Sequence, residues 1–154
     1  MKNEKTLVIG IGNPWRGDDD AGLEVARRLR EWQPAHLDIV ESDGDLTQLL
    51  ELWRLYSRVV LVDALHSGAE AGSIVSFQAE RTPLPAERWR FSTHGLGLCE
   101  AVEMARTLGQ LPDRLQVFAI EGKDFSTGAR ISPEVVQACT SLAERILQEC
   151  PEAD

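Results

Sequence analysis

Two short runs of the chain, Thr6 to Gly12 (TLVIGIG) and Val59 to Val62 (VVLV), are apolar and rich in β-branched residues with no polar alternation. Successive side chains of a strand point to opposite faces of its sheet, so a run that is apolar at every position needs cover on both faces. That requirement puts these runs at the centre of a parallel sheet with helices above and below. The rest of the chain agrees. Leu23, Ala26 and Leu29 recur at helical spacing, Leu37 to Val40 reads as a second strand, and Leu46 to Leu55 as a second helix. Asp63 ends the third strand, and Ser73 to Phe77 alternates as a more exposed strand would. A loop containing proline, Arg81 to Ser92, leads into a helix from His94 to Leu108 with Leu98, Val102 and Ala105 on one face. Leu115 to Ile120 is the last strand. After a polar loop, Glu121 to Ile131, Ser132 and Pro133 take the N-cap and first helical positions of a closing helix that reaches about Cys150 and stops before Pro151. The pattern predicts a single α/β domain over residues 1–154. Its expected architecture is a three-layer α/β/α sandwich on a mostly parallel, twisted sheet of about five strands, with a place for one antiparallel edge strand.

Charge narrows the partners. With 25 acidic residues against 16 basic ones the formal net charge is -9, which disfavours nucleic acid and anionic membranes alike. The one basic cluster, Arg27-Arg28-Leu29-Arg30, lies in a helical pattern and reads as a solvated face. No apolar run reaches the roughly 18–20 residues of a membrane span, so a cytoplasmic protein is expected. Cys99, Cys139 and Cys150 form no Cys-x-x-Cys pair, and an odd count argues against a complete disulfide framework. Cys139 and Cys150 fall on one helix about 16 Å apart, too far for a bridge, so reduced thiols are expected.

The segment GIGNPWRGDDDAG, Gly10 to Gly22, follows the first strand, where α/β proteins often cradle phosphate. A dinucleotide fingerprint would need glycine where Trp15 stands, and a P-loop would need lysine where Asp18 follows Gly17. Asp18, Asp19 and Asp20 would repel an anion and attract a cation. A nucleotide is therefore not expected. Aspartates in a first helical turn also serve as caps, so the triplet alone does not separate a metal ligand from a capping residue. Further along, Asp63 ends the apolar third strand and His94, in Ser92-Thr93-His94-Gly95, opens a helix. In a doubly wound sheet the carboxyl ends of the strands share one edge, and ligands bind in the crevice there. Two carboxylates and an imidazole make a mixed oxygen and nitrogen donor set with open positions, suited to nickel or zinc. The absence of H-E-x-x-H excludes a zincin.

Four ordered motifs, GIGNPWRGDDDAG, VVLVDAL, STHGLGL and IEGKDFSTGARISPEV, are similar to those of the hydrogenase maturation endopeptidases. These enzymes trim the C-terminal extension from the large subunit of nickel-iron hydrogenases. The resemblance covers nearly the whole chain. It implies a phosphorylase/hydrolase-like fold and an endopeptidase whose three metal-ligand positions, also the catalytic ones, are Asp19, Asp63 and His94. It also implies that the nickel arrives with the substrate, a precursor of the hydrogenase large subunit, though zinc or cadmium would also fit the site. Asp18 then shapes the loop. Asp43 matches a supporting aspartate of the family, with Asp45 and Leu46 replacing the usual Gly and Thr, and Asp43 or Asp18 is the candidate base. Cys99 fits core packing better than nucleophilic chemistry, His66 is a weaker candidate to supplement the site, and His36 has no evident role. Trp15 either covers the core or anchors the precursor. The competing reading is a non-catalytic nickel-binding accessory or sensor protein using the same three ligands.

Overall fold

The computed structural model describes residues 2–89 and 95–152, and the side chains of all of these except 95 and 96. Its elements are β1 (Asn3–Ile11), α1 (Ala21–Glu31), β2 (Leu37–Ser42), α2 (Leu46–Trp53), β3 (Tyr56–Leu65), β4 (Ile74–Gln78), α3 (Gly95–Thr107), β5 (Arg114–Glu121) and α4 (Pro133–Glu149). The strands form one sheet in the order β2-β1-β3-β5-β4. All neighbours run parallel except β4, which pairs antiparallel to β5 at the edge. The expected three-layer sandwich, with its single antiparallel edge strand, is the architecture found.

The apolar runs of β1 and β3 are buried on both faces. Leu7, Ile9, Ile11, Val59 and Leu61 pack with Leu49 and Trp53 of α2 and Leu98 and Val102 of α3. Val8, Val60 and Val62 face the other way, against Val25 and Leu29 of α1 and Val135, Leu142 and Ile146 of α4. Removing a side chain such as Leu61 from so closed a layer would cost about 2–5 kcal/mol.

Helix α1 approaches the sheet closely because two glycines let it. A Cβ on Gly22 would lie 2.2 Å from the Ile11 carbonyl oxygen and 2.4 Å from that of Val62, and one on Gly10 would lie 2.2 Å from the Gly22 oxygen. The glycines of the opening loop thus serve helix-to-sheet contact. They bring the start of α1 down to the carboxyl edge between β1 and β3. From β1 the chain winds to β2 on one side, and from β3 it winds to β5 on the other, so the crevice lies where the winding reverses.

Three local differences from the expected pattern have physical causes. Helix α2 ends at Trp53 instead of Leu55, because the Leu55 N–H bonds back to the Leu52 carbonyl at 3.3 Å while its own carbonyl accepts from Asn3 N–H at 2.7 Å. The loop from Arg81 contains an unanticipated 3-10 helix, Ala86–Trp89, whose Trp89 is fully buried. Ser132 stands at the N-cap of α4 as expected, but its hydroxyl makes no capping bond and turns to Asp18. Among the described residues, no helix is long and apolar enough to cross a membrane.

Candidate metal and catalytic site

The triple aspartate separates into three roles once its partners are known. The turn Gly17–Asp20 is a 3-10 helix that begins with Gly17 at φ 56°, where a Cβ would lie 2.3 Å from the Asp124 carbonyl oxygen. Asp18, fully buried, accepts four hydrogen bonds. Its Oδ2 takes Lys123 N–H at 2.8 Å, Asp124 N–H at 3.0 Å and the Ser132 hydroxyl at 2.8 Å, and its Oδ1 takes Ser132 N–H at 2.6 Å. Asp18 therefore ties the opening loop to the segment after β5 and to the head of α4, the loop-shaping role expected of it. Asp20 takes two guanidinium bonds from Arg27, at 3.0 and 3.1 Å.

Arg27 also lies near Glu24 and Glu41, Arg28 pairs with Glu24, and Arg30 with Glu41. The basic cluster is thereby matched by acids and presents no phosphate patch.

Asp19 stands between these two anchors, 2% exposed, on a turn that packs against β3. Asp63 does not end its strand as expected: β3 runs on to Leu65 in register with β5, and Asp63, two residues before that end, is fully buried. Its Oδ1 accepts the Ala64 N–H at 2.8 Å and its Oδ2 accepts the indole N–H of Trp89 at 3.2 Å. A buried carboxylate is costly unless hydrogen bonds or an opposite charge meet it, and these two donors meet both oxygens of Asp63. His94, the third expected ligand, lies outside the described residues. Among the described residues no three His, Cys, Asp or Glu side chains are grouped to hold a metal. Asp19 and Asp63, the two oxygen ligands expected, are both buried in the described part.

The remaining candidates fall around this edge. Asp43 is exposed, and its Oδ1 accepts the Asp45 N–H at 3.0 Å. Asp45 caps α2 by accepting Gln48 N–H at 3.0 Å, which explains an acid at that position. Asp43 rims a groove of 340 Å³ with Gly12, Pro14, Leu23 and Ser42. Trp15 is 74% exposed, so it does not cover the core; a second groove, of 330 Å³, runs beside it past Gly17 and Asp20 to Arg130 and Ile131. His66 is exposed and stacks on Phe125, with ring centroids 4.7 Å apart. Cys99 is buried, and burial first, then the charge of Asp63, pushes its thiol up to about 11. That is the wrong direction for a nucleophile. A separate cavity of 230 Å³, bounded by Thr6, Arg58 and Arg114, lies at the opposite ends of the strands and holds none of the site acids.

Two residues of this region were not anticipated. Glu121, 2% exposed at the end of β5, accepts Ser67 N–H at 2.7 Å, the Ser67 hydroxyl, and Gly68 N–H at 3.3 Å, fixing the loop after β3. An acid closing an apolar strand, the pattern that singled out Asp63, was its signal. Trp89 carried none.

Comparison with known proteins follows the same lines. Residues 23–149 match the family model described as hydrogenase maturation protease, a match that begins just after the aspartate turn. The hydrogenase expression/formation protein HupD of Rhodobacter capsulatus is 24% identical over 152 residues, covering 95% of this chain and 71% of that protein. A putative hydrogenase maturation protease of Methanocaldococcus jannaschii is 24% identical, covering 97% and 98%. In structure, the hydrogenase maturating endopeptidase HybD from Escherichia coli superposes with a TM-score of 0.81 at 21% identity, covering 94% of this chain and 91% of that one. At such identity the superposition speaks for the fold.

Proposed function

The chain belongs to the hydrogenase maturation protease family, and on that premise we propose that Asp19, Asp63 and His94 engage the nickel of a hydrogenase large-subunit precursor while its C-terminal extension is cut away. The chain is an endopeptidase, so its chemistry is hydrolysis of one peptide bond. The metal belongs to the substrate. Two carboxylates and an imidazole offer three donors and leave further coordination positions to the precursor's own ligands. Affinity then depends on a loaded precursor, and metal insertion precedes cleavage.

Within that arrangement the residues divide the work. Asp63 and Asp19 hold the charge of the metal at the crevice, where it orients the scissile peptide and polarises its carbonyl or the attacking water. Of the two candidate bases, Asp18 has both oxygens committed to N–H and O–H donors. Asp43, exposed on the groove rim, is the one open to water, and we assign it the proton from the attacking water. The C–N bond breaks as the tetrahedral adduct collapses, and the departing amine takes up a proton. A cytoplasmic setting fits three cysteines that are all free thiols.

The observation that carries this reading is the fully buried Asp63 carboxylate at the carboxyl edge of a central strand, beside the turn that carries Asp19. Mass spectrometry of a large-subunit precursor, incubated with the protein with and without prior nickel loading, tests it. The expected result is loss of a C-terminal peptide from loaded precursor only, and none with Asp19→Ala. Cleavage that proceeds equally in apo precursor would remove the metal from the mechanism.

A further inference from the structure

We infer that Trp89 is a positioning residue for Asp63, an inference that rests on the metal reading above. Trp89 ends the 3-10 helix Ala86–Trp89 and is fully buried, its ring tilted against Phe77 of β4 with centroids 5.6 Å apart. Any large apolar ring would fill this space. What only the indole supplies is the N–H, which donates to Asp63 Oδ2 at 3.2 Å while the Ala64 N–H holds Oδ1 at 2.8 Å. Two donors from two different elements grip the two oxygens, so the carboxylate plane cannot rotate about its terminal bond.

Burial alone does not require this bond. Trp53 is equally buried in the same core, and among the described residues its indole N–H has no hydrogen-bond partner. The pairing of Trp89 is therefore specific to the acid it meets. Partners of this kind orient metal-ligating side chains, and losing one typically weakens metal affinity by about 10–100-fold. The indole N–H also offsets part of the cost of burying the Asp63 side chain.

The test titrates nickel(II) into the isolated protein up to millimolar concentrations by calorimetry, with thermal melting followed in parallel. Trp89→Phe keeps the ring and deletes the donor; Phe77→Leu loosens the same packing and keeps the donor; Asp63→Ala removes the ligand. The expected result is nickel affinity about tenfold or more weaker in Trp89→Phe, unchanged in Phe77→Leu, and lost in Asp63→Ala. If Trp89→Phe binds nickel like the wild type while Asp63→Ala does not, Trp89 is merely packing and the ligand reading stands. If Phe77→Leu weakens binding as much as Trp89→Phe, the effect belongs to packing and the positioning role falls. If Asp63→Ala binds like the wild type, the ligand reading fails and this inference with it; if the wild type binds nickel too weakly to titrate, the same variants are compared in capture of nickel-loaded precursor, where equal capture by Trp89→Phe and wild type overturns the positioning role.

Discussion

At the residue scale, three adjacent aspartates differ only in what they reach. Asp18→Ala would strand four donors, two of them buried, and should cost about 3 kcal/mol in urea unfolding. Asp19→Ala should leave the melting temperature closer to wild type and abolish processing. An Asp18→Ala protein of wild-type stability, or an Asp19→Ala protein that still cuts, would reverse this assignment. Cys99 makes a second prediction. With its thiol pushed up to about 11 by burial and then by Asp63, reaction with a disulfide reagent should be slow at pH 8 and accelerate only as pH approaches 11. Cys99→Ala should process precursor normally, and loss of activity in that variant would bring the thiol into the mechanism. The sequence grouped the acids, and the family resemblance set Asp18 apart as the loop-shaping one, but neither showed what each of them reaches. Asp18 is defined by partners more than a hundred positions away and Asp20 by Arg27, and no local spacing carries that information.

At the scale of elements, the strands were legible because burial on both faces leaves its mark on every residue from Thr6 to Ile11 of β1 and from Val59 to Leu65 of β3. The 3-10 helix Ala86–Trp89 was not. Four residues within a loop carrying prolines have no period to detect, and their purpose is a contact with Asp63. The glycines of the opening loop are a middle case: their presence was plain, whereas their partner is a helix backbone and not a phosphate. Gly22→Ala therefore makes a sharp prediction. A methyl group 2.2–2.4 Å from two strand carbonyls forces α1 away from the sheet, at a cost of about 1–3 kcal/mol. The Gly17–Asp20 turn should move with it, so processing should fall more than the loss of stability explains. A Gly22→Ala variant with wild-type melting and activity would show that α1 tolerates displacement.

For the whole molecule, the proposed site lies at one end of the sheet, and the other end holds none of its acids. Tyr56, the only tyrosine, donates to Asp38 Oδ2 at 2.6 Å near that other end. Burial first, then that bond, pushes its phenol from 10 up to about 12. A raised value means the folded state holds the proton more tightly. The stability it gives is full below pH 10 and lost as pH rises toward 12. Absorbance titration of the phenol should show a midpoint near 12, and Tyr56→Phe should flatten the matching part of the stability profile; a midpoint near 10 would dissolve the link. At the end of the proposed site, Trp15→Ala should weaken capture of nickel-loaded precursor by roughly tenfold or more without altering the melting temperature, since the ring is 74% exposed. Unchanged capture would take Trp15 out of the interface. The long reach of Asp18 bears on how the protein is made. Its carboxylate closes on Ser132, 114 positions later, and β4 joins the sheet only through β5, which is synthesised after it. A nascent chain that has emerged only as far as the aspartate turn, the third strand and the edge strand holds an unclosed site and an unpaired edge. The aspartate turn gains its four anchors only after residues 123–132 have been made, so the frame of the proposed site is completed late in synthesis, at the head of the last helix.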